Sequence, residues 1–283
     1  MKHRNDTNWF PVLPCGLIGA LIFIERKRPL RKPREPPPNR VGRNVALGLV
    51  AAASVAAIER PVVGAIAEVV NRRGWGLVPR LPISGWGKTA LLLLMDYTLY
   101  WWHVLLHRVP QLWRCHAVHH ADLDLDTSTA LRFHVTELIA SIPWRACQVV
   151  VLGVSPRALW LWANLTSVEV LFHHSNVRLP LAVERWLCRA IVTPRLHGIH
   201  HSVVDEQTNS NLSSGLAVWD SLHGTARRNV SQASISIGLP RYRYRKQVTF
   251  ARMMALPFVA GECADNQREV EPVTIGKSTQ LRE

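Results

Sequence analysis

Thiols are scarce in this 283-residue chain: five cysteines, Cys15, Cys115, Cys147, Cys188 and Cys263, odd in number, widely spaced and without a CxxC pair. That pattern speaks against a disulfide framework or a thiolate-held zinc or iron–sulfur centre, and fits reduced structural thiols facing a reducing compartment. HExxH is absent, so a zincin-type protease is not supported, and no GxGxxG fingerprint offers a dinucleotide site. No solenoid repeat is visible. Acidic residues are few as well, 20 against 34 Lys and Arg, for a net charge of +14. The excess is not a nucleic-acid signature. Basic residues gather between and after apolar runs, as at Arg26, Lys27, Arg28, Arg31, Lys32 and Arg34, and no reading motif accompanies them; basic loops beside membrane segments explain them better.

What the chain does have is clustered apolar runs and 11 tryptophans, many near the ends of those runs, as for side chains anchored at a membrane interface. Residues 9–24 lack a cleavage site and are followed, not preceded, by the basic run, so they read as an anchor and not a removed signal peptide. Residues 29–40 form a proline-rich basic linker, because repeated Pro forbids helix. The Ala- and Val-rich run over 45–58 is interrupted by Glu59, Arg60 and Pro61; with 62–70 it makes either one broken membrane helix or a helix followed by an interfacial one. The strongest span is expected over 88–107, since twenty helical residues cover about 30 Å. On it Asp96, Tyr100, His103 and His107 share a face directed into protein. A further apolar stretch begins after Glu137, turns at Ser155 and Pro156, and returns to His173 and His174. The fold class is therefore all-α, an integral membrane bundle of about four transmembrane helices under a cytosolic helical cap. Three parts are expected: an anchor and linker at 1–43, a membrane catalytic domain at 44–260 and a disordered polar tail at 261–283.

Eight of the 13 histidines fall in three boxes: His103 and His107; His116, His119 and His120; His197, His200 and His201. Side chains three and four apart on a helix share a face, so each box aims two or three imidazoles at one point. Each box has a bland alternative, since a lone HxxxH on an apolar helix is more often a satisfied core pair; the recurrence of HxxHH is what composition does not produce. Eight imidazoles exceed one coordination shell, which points to two metals. With the basic loop at 26–34 cytosolic, every box lies on that side of the membrane. An all-imidazole set without Cys argues against structural zinc and for non-haem iron with open positions for oxygen.

The residues DYTLYWWHVLLHRVPQLWRCHAVHHADLDLDTSTALRFHVTE at 96–137, LFHHSNVRLP at 171–180, TPRLHGIHHS at 193–202 and WDSLHGT at 219–225 resemble the fatty acid hydroxylase and sterol desaturase superfamily of membrane di-iron enzymes, over roughly 40–260. The resemblance implies O2-dependent hydroxylation or desaturation of a lipid at two irons, with zinc as the alternative ion. Carried over, the ligands and so the catalytic residues are His103, His107, His116, His119, His120, His197, His200 and His201, joined by one of His173 and His174; His134 matches a further motif as ligand or supporting residue. Glu137, Glu169, Asp122 and Asp220 are the carboxylates that could orient ligand rings; Asp220, within the WD motif, doubles as a lock on the cap. Two departures touch the cap: Asn211, Leu212 and Ser213 stand where the family shows Asn-Tyr-Gly, and His223 where an aromatic residue is usual.

Because no electron-carrying motif is present, a separate ferredoxin, cytochrome or reductase is expected as donor, beside a lipid substrate and the membrane; a bacterial inner membrane fits better than the endoplasmic reticulum. The competing class is a histidine-rich metal transporter or sensor without oxygenase activity, for which the apolar helix over 88–107 offers a poor ion path. A zinc-loaded relative doing hydrolytic or isomerase chemistry is a third reading.

Overall fold

The computed structural model describes residues 13–80 and 87–259; the tail expected at 261–283 lies outside the described residues. Among the described residues twelve α-helices run in order: α1 (Leu13–Lys27), α2 (Pro37–Ser54), α3 (Arg60–Arg73), α4 (Gly87–Arg108), α5 (Pro110–His120), α6 (Val135–Leu152), α7 (Pro156–His174), then the short α8 (Leu181–Leu187), α9 (Pro194–His200), α10 (Asp205–Thr208), α11 (Val218–His223) and α12 (Phe250–Ala255). Among the described residues isolated β-bridges, such as Ile191 with Leu216, stand in place of strands.

The break expected near Pro61 is resolved into a continuous helix. A π-turn at Val55–Glu59 joins α2 to α3 and sets Pro61 in the first turn of α3, where a missing N–H costs little. At 1.5 Å per residue, Pro37 to Arg73 is about 55 Å long, nearly twice the hydrocarbon core of a bilayer. Glu59 and Arg145 of α6 pair at 3.8 Å, and the Arg145 guanidinium lies 4.2 Å over the Trp162 ring. Glu59 and Arg145 thus meet each other and not lipid.

Among the described residues two stretches, Pro38–Arg80 and Val135–Leu152, are long and apolar enough to cross a membrane. α4, read from the sequence as the strongest span, is not among them, nor is α7. Both carry polar side chains that serve the cap: Asp96 of α4 accepts from Leu216 N at 3.1 Å and Trp219 Nε1 at 2.7 Å. The four long helices still share one core, in which Val63, Ala67, Leu91, Met95, Val149 and Trp162 pack together. α6 ends at Gly153, whose φ of 80° is left-handed, and Ser155 caps α7 through Ala158 N, so the expected hairpin turn is built from a glycine C-cap and a serine N-cap.

Above the bundle the cap is fastened by a buried charge network. Arg40 donates to Asp122 at 2.9 Å and also to Asp126; Asn44 and Thr129 donate to the same Asp122 oxygen at 2.9 and 3.0 Å. Arg132 donates from Nη1 to Asn44 Oδ1 and from Nε to the Val118 carbonyl, both at 2.9 Å, satisfying a carbonyl that α5 leaves free in its last turn. Burial alone would raise the Asp122 carboxyl, but the guanidinium groups of Arg40 and Arg132 and the Asn44 amide bring it below its usual range. Burial draws Arg132 down to about 10. Glu25, at the end of α1, accepts from Thr127 N, Thr127 Oγ1 and Asn176 N at 2.9–3.1 Å, tying the first helix to the cap.

Removing one partner of a buried pair strands the other charge, so Asp122→Ala should destabilise the protein by about 3–5 kcal/mol, read as thermal unfolding in detergent. The folded-state pKa of Asp122 is depressed, so its contribution is full above about pH 4 and is lost as the pH falls through the lowered value. In Asp122→Asn that acid-dependent loss should be absent, and an unaltered acid limb would refute the assignment.

Candidate metal centre

Helices α4, α5, α7 and α9 deliver their C-terminal turns to one point beneath the cap. α5 begins at Pro110, the preferred residue for a first turn, and α9 is capped by Thr193 with Pro194 following. Capping matters here because α9 has only seven residues, and a helix that short does not hold three side chains in register unaided.

The histidines separate into two groups. In one, a ring nitrogen from each of His103, His107, His116, His120 and His200 lies within 4.8 Å of all the others; in the second, His119, His174, His197 and His201 do the same. All nine are buried. In the second group the Nε2 atoms face one another directly: His119 to His174 at 2.9 Å, His174 to His197 at 2.9 Å, His197 to His201 at 3.1 Å. In the first, Nε2 of His103 and His116 are 3.2 Å apart. Ligands at about 2.1 Å from one ion lie about 3 Å from each other when adjacent. The spacing is therefore that of coordination shells. Buried nitrogens without a hydrogen-bond partner, including His107 Nε2, His200 Nε2 and both nitrogens of His120, support the same fit, because a buried polar atom is normally satisfied. Burial, reinforced by neighbouring rings, holds His119, His120, His197 and His201 well below the usual imidazole range and His200 at about 3, so these rings are neutral and their lone pairs are available. The donor set is all imidazole, suited to iron, zinc, copper or nickel.

Four rings are oriented from behind through Nδ1: His103 donates to the Leu212 carbonyl at 2.7 Å, His200 to the Ser210 carbonyl at 3.0 Å, His174 to the Val170 carbonyl at 2.7 Å and His116 to Glu137 Oε1 at 3.1 Å. Each bond turns Nε2 toward the cluster. Of the four carboxylates expected to orient ligands, only Glu137 touches one. Asp220 acts one step back, accepting from Leu212 N at 2.7 Å, Ser213 N at 3.1 Å and Thr225 Oγ1 at 2.6 Å. It thereby fixes the turn that presents the Leu212 carbonyl. Asp122 is taken up by Arg40 and Asn44. Glu169 and Asp96 close on the backbone of Gly215, where an added Cβ would lie 2.8 and 2.3 Å from their oxygens.

His173 stands outside both groups, its ring 4.6 Å from that of His174 and 4.1 Å from that of His197; consecutive helical residues point about 100° apart, so only one of an adjacent pair faces a given ion. His134 is an N-cap instead, accepting from Thr136 N at 3.1 Å while Nε2 donates to the Met254 carbonyl at 3.3 Å. His223 stacks on Tyr100 at 5.0 Å and reaches the Tyr97 hydroxyl at 3.2 Å. The departures from the family's Asn-Tyr-Gly run fall at Leu212 and Ser213, and Asn211 keeps the first residue of that run. Its left-handed φ of 52° and amide bonds to the Leu196 and Arg227 carbonyls at 3.0 and 2.8 Å let the carbonyls on either side of it reach different histidines. Asn tolerates that backbone better than most residues.

The fatty acid hydroxylase family profile matches residues 89–225, a segment that contains all nine clustered histidines. The chain is 27% identical over 252 residues to the ornithine lipid hydroxylase of Rhizobium tropici, an alignment covering 83% of this chain and 73% of that protein. The chain belongs to the fatty acid hydroxylase and sterol desaturase superfamily. It is also 27% identical over 153 residues to human alkylglycerol monooxygenase, spanning 31% of that longer protein. A rice very-long-chain aldehyde decarbonylase is 30% identical over 197 residues, covering 68% of this chain and 60% of the relative. No solved structure matches the chain. Like its relatives in this superfamily it is an oxidoreductase.

His119→Ala and His120→Ala should each lower bound metal from about two ions per chain toward one, measured by elemental analysis, while His173→Ala keeps both. Glu137→Gln should weaken metal retention or activity by about 10–100-fold without unfolding the protein, read by chelator competition. Full retention would leave the His116 contact without a role.

Proposed function

We propose that this protein is a membrane-bound di-iron oxygenase that hydroxylates a lipid C–H bond with O2 and electrons from a separate donor. The observation that carries the reading is the division of nine buried, inward-facing imidazoles into shells of five and four. His103, His107, His116, His120 and His200 would hold one iron, and His119, His174, His197 and His201 the other. When bound, the irons would supply the reduction of O2 and the oxidising power that no side chain has. One oxygen atom enters the product, and the other leaves as water with two electrons and two protons. The protein's share is to keep the rings neutral, oriented and dry: Leu212, Ser210, Val170 and Glu137 set the ring directions, and burial excludes the water that would quench an oxidant. The four-imidazole shell has the greater room for an exchangeable ligand.

Among the relatives compared, the ornithine lipid hydroxylase aligns along the greatest share of this chain, which makes an aminolipid of that kind the first substrate to test. Arg26 and Lys27 at the end of α1, and Arg28 and Lys32 after it, are exposed on the side of the histidine clusters, and positive loops favour the cytosolic face; a bacterial inner membrane fits. Burial of all nine residues favours retained ions over the exchange that a transporter or sensor needs.

The test is oxygen-18 labelling. Iron-loaded protein with a reductant and ornithine lipid should give a product heavier by one labelled oxygen, and His119→Ala or His200→Ala should abolish it. A product formed with label from water, or full activity in either variant, refutes the mechanism. Loss of two hydrogens without label would reassign it as a desaturase.

A further inference from the structure

The linker between α1 and α2 lies across the outer side of α9, the helix that carries His197 and His200. Arg31 donates from Nη1 to the Pro194 carbonyl at 3.3 Å and to Gln232 Oε1 at 2.5 Å, and its guanidinium presses so closely on Gly198 that a Cβ there would fall 2.1 Å from Nη1. Outward from this clamp the surface is basic. Lys32, Arg34, Arg245 and Lys246 are exposed and Arg243 is half-buried; Arg34 and Arg243 share Ser236 Oγ, each at 2.8 Å. The acidic groups beneath are withdrawn: Asp124 is buried and accepts from the Arg34 and Glu35 backbone N–H groups, and Glu35 is buried, paired with Arg43 at 3.0 Å and with Arg245 at 3.6 Å. Tyr244, between two arginines, is 72% exposed, beside a groove of about 210 Å³ lined by Arg34, Glu35, Leu123, Arg243, Tyr244 and Arg245. Tyr and Arg around a groove are the residues that most often dominate protein–protein contacts.

We propose that this face, formed by Lys32, Arg34, Arg243, Tyr244 and Arg245, is the docking surface for an acidic one-electron carrier protein that feeds the metal centre. The proposal rests on the oxygenase reading, which requires such a donor. Charge complementarity selects the partner's sign and speeds encounter. On the α2 side, position favours a protein over lipid: the first exposed large apolar side chain of that helix is Val45, followed by Leu49, about 12 Å of helix from the linker's end at residue 36, whereas on the α1 side exposed Phe23 and Ile24 lie nearer the linker. Depth favours this face too, because only α9, about 10 Å across, separates Arg31 from the ligand rings. Each docking event would oxidise the carrier by one electron, and two would complete the pair that oxygen reduction consumes.

The experiment uses full-length, iron-loaded protein in phosphatidylcholine nanodiscs, with an acidic plant-type [2Fe–2S] ferredoxin and an acidic flavodoxin as probes. Binding is measured at about 50 and 200 mM salt, for wild type and for the exposed-residue variant Lys32→Gln/Arg34→Gln/Tyr244→Ala. We expect salt-weakened binding of at least one probe to wild type. The variant should lose at least tenfold in affinity and in the rate of carrier oxidation, with metal content and dithionite-driven single-turnover yield unchanged. Equal binding by wild type and variant, or no salt-sensitive binding of either probe to wild type, overturns the proposal. So does a variant that keeps carrier binding but loses stabilisation by phosphatidylglycerol-doped discs, since the face would then belong to lipid. Normal docking with no labelled product from any reductant would sustain the surface and sink the oxygenase reading.

Discussion

Imidazole lone pairs aimed at one another repel, and here they are held nitrogen to nitrogen at about 3 Å in a dry interior. A cation between them would turn that repulsion into attraction, and ring convergence is the constraint that the rest of the fold answers to. Neutrality of the rings is the first requirement, and burial supplies it. Direction is the second, and hydrogen bonds from backbone carbonyls and Glu137 supply that. Most of these acceptors are main-chain atoms, so ring orientation is inherited from the path of the chain more than from side-chain chemistry.

The turn at 210–213 illustrates the point. Ser210 and Leu212 offer carbonyls to histidines on two different helices, α9 and α4, and a left-handed Asn211 separates them. Asp220 then grips the turn through two backbone N–H groups, while Asp96 holds the next segment against α4 through Leu216 and Trp219. Two carboxylates that never touch a ligand ring therefore decide where ligand rings point.

Local spacing made the boxes legible. His116, His119 and His120 share a helix, as do His197 and His200, and helical periodicity alone brings such residues together. The Ser155–Pro156 turn was legible for the same local reason. What sequence could not supply were pairings across long separations: Arg40 with Asp122, Glu25 with Asn176, Asp96 with Trp219. Continuity through Pro61 was also hidden, because a π-turn absorbs what reads as a break. The choice between His173 and His174 depended on the rotation of α7, and the apolar run at Leu91–Leu94 outweighed, on paper, the polar residues that bind α4 to the cap.

Glu25 has a consequence for how the molecule is made. Its carboxylate accepts from Thr127 and Asn176, and Arg31 donates to Gln232, so the segment around Glu25 is synthesised long before its partners exist. The rings that converge come from positions 103 to 201, and neither cage is complete until most of the chain has been synthesised and inserted. Any metal ion these rings take up would therefore enter late, after both sets of histidines have been brought together.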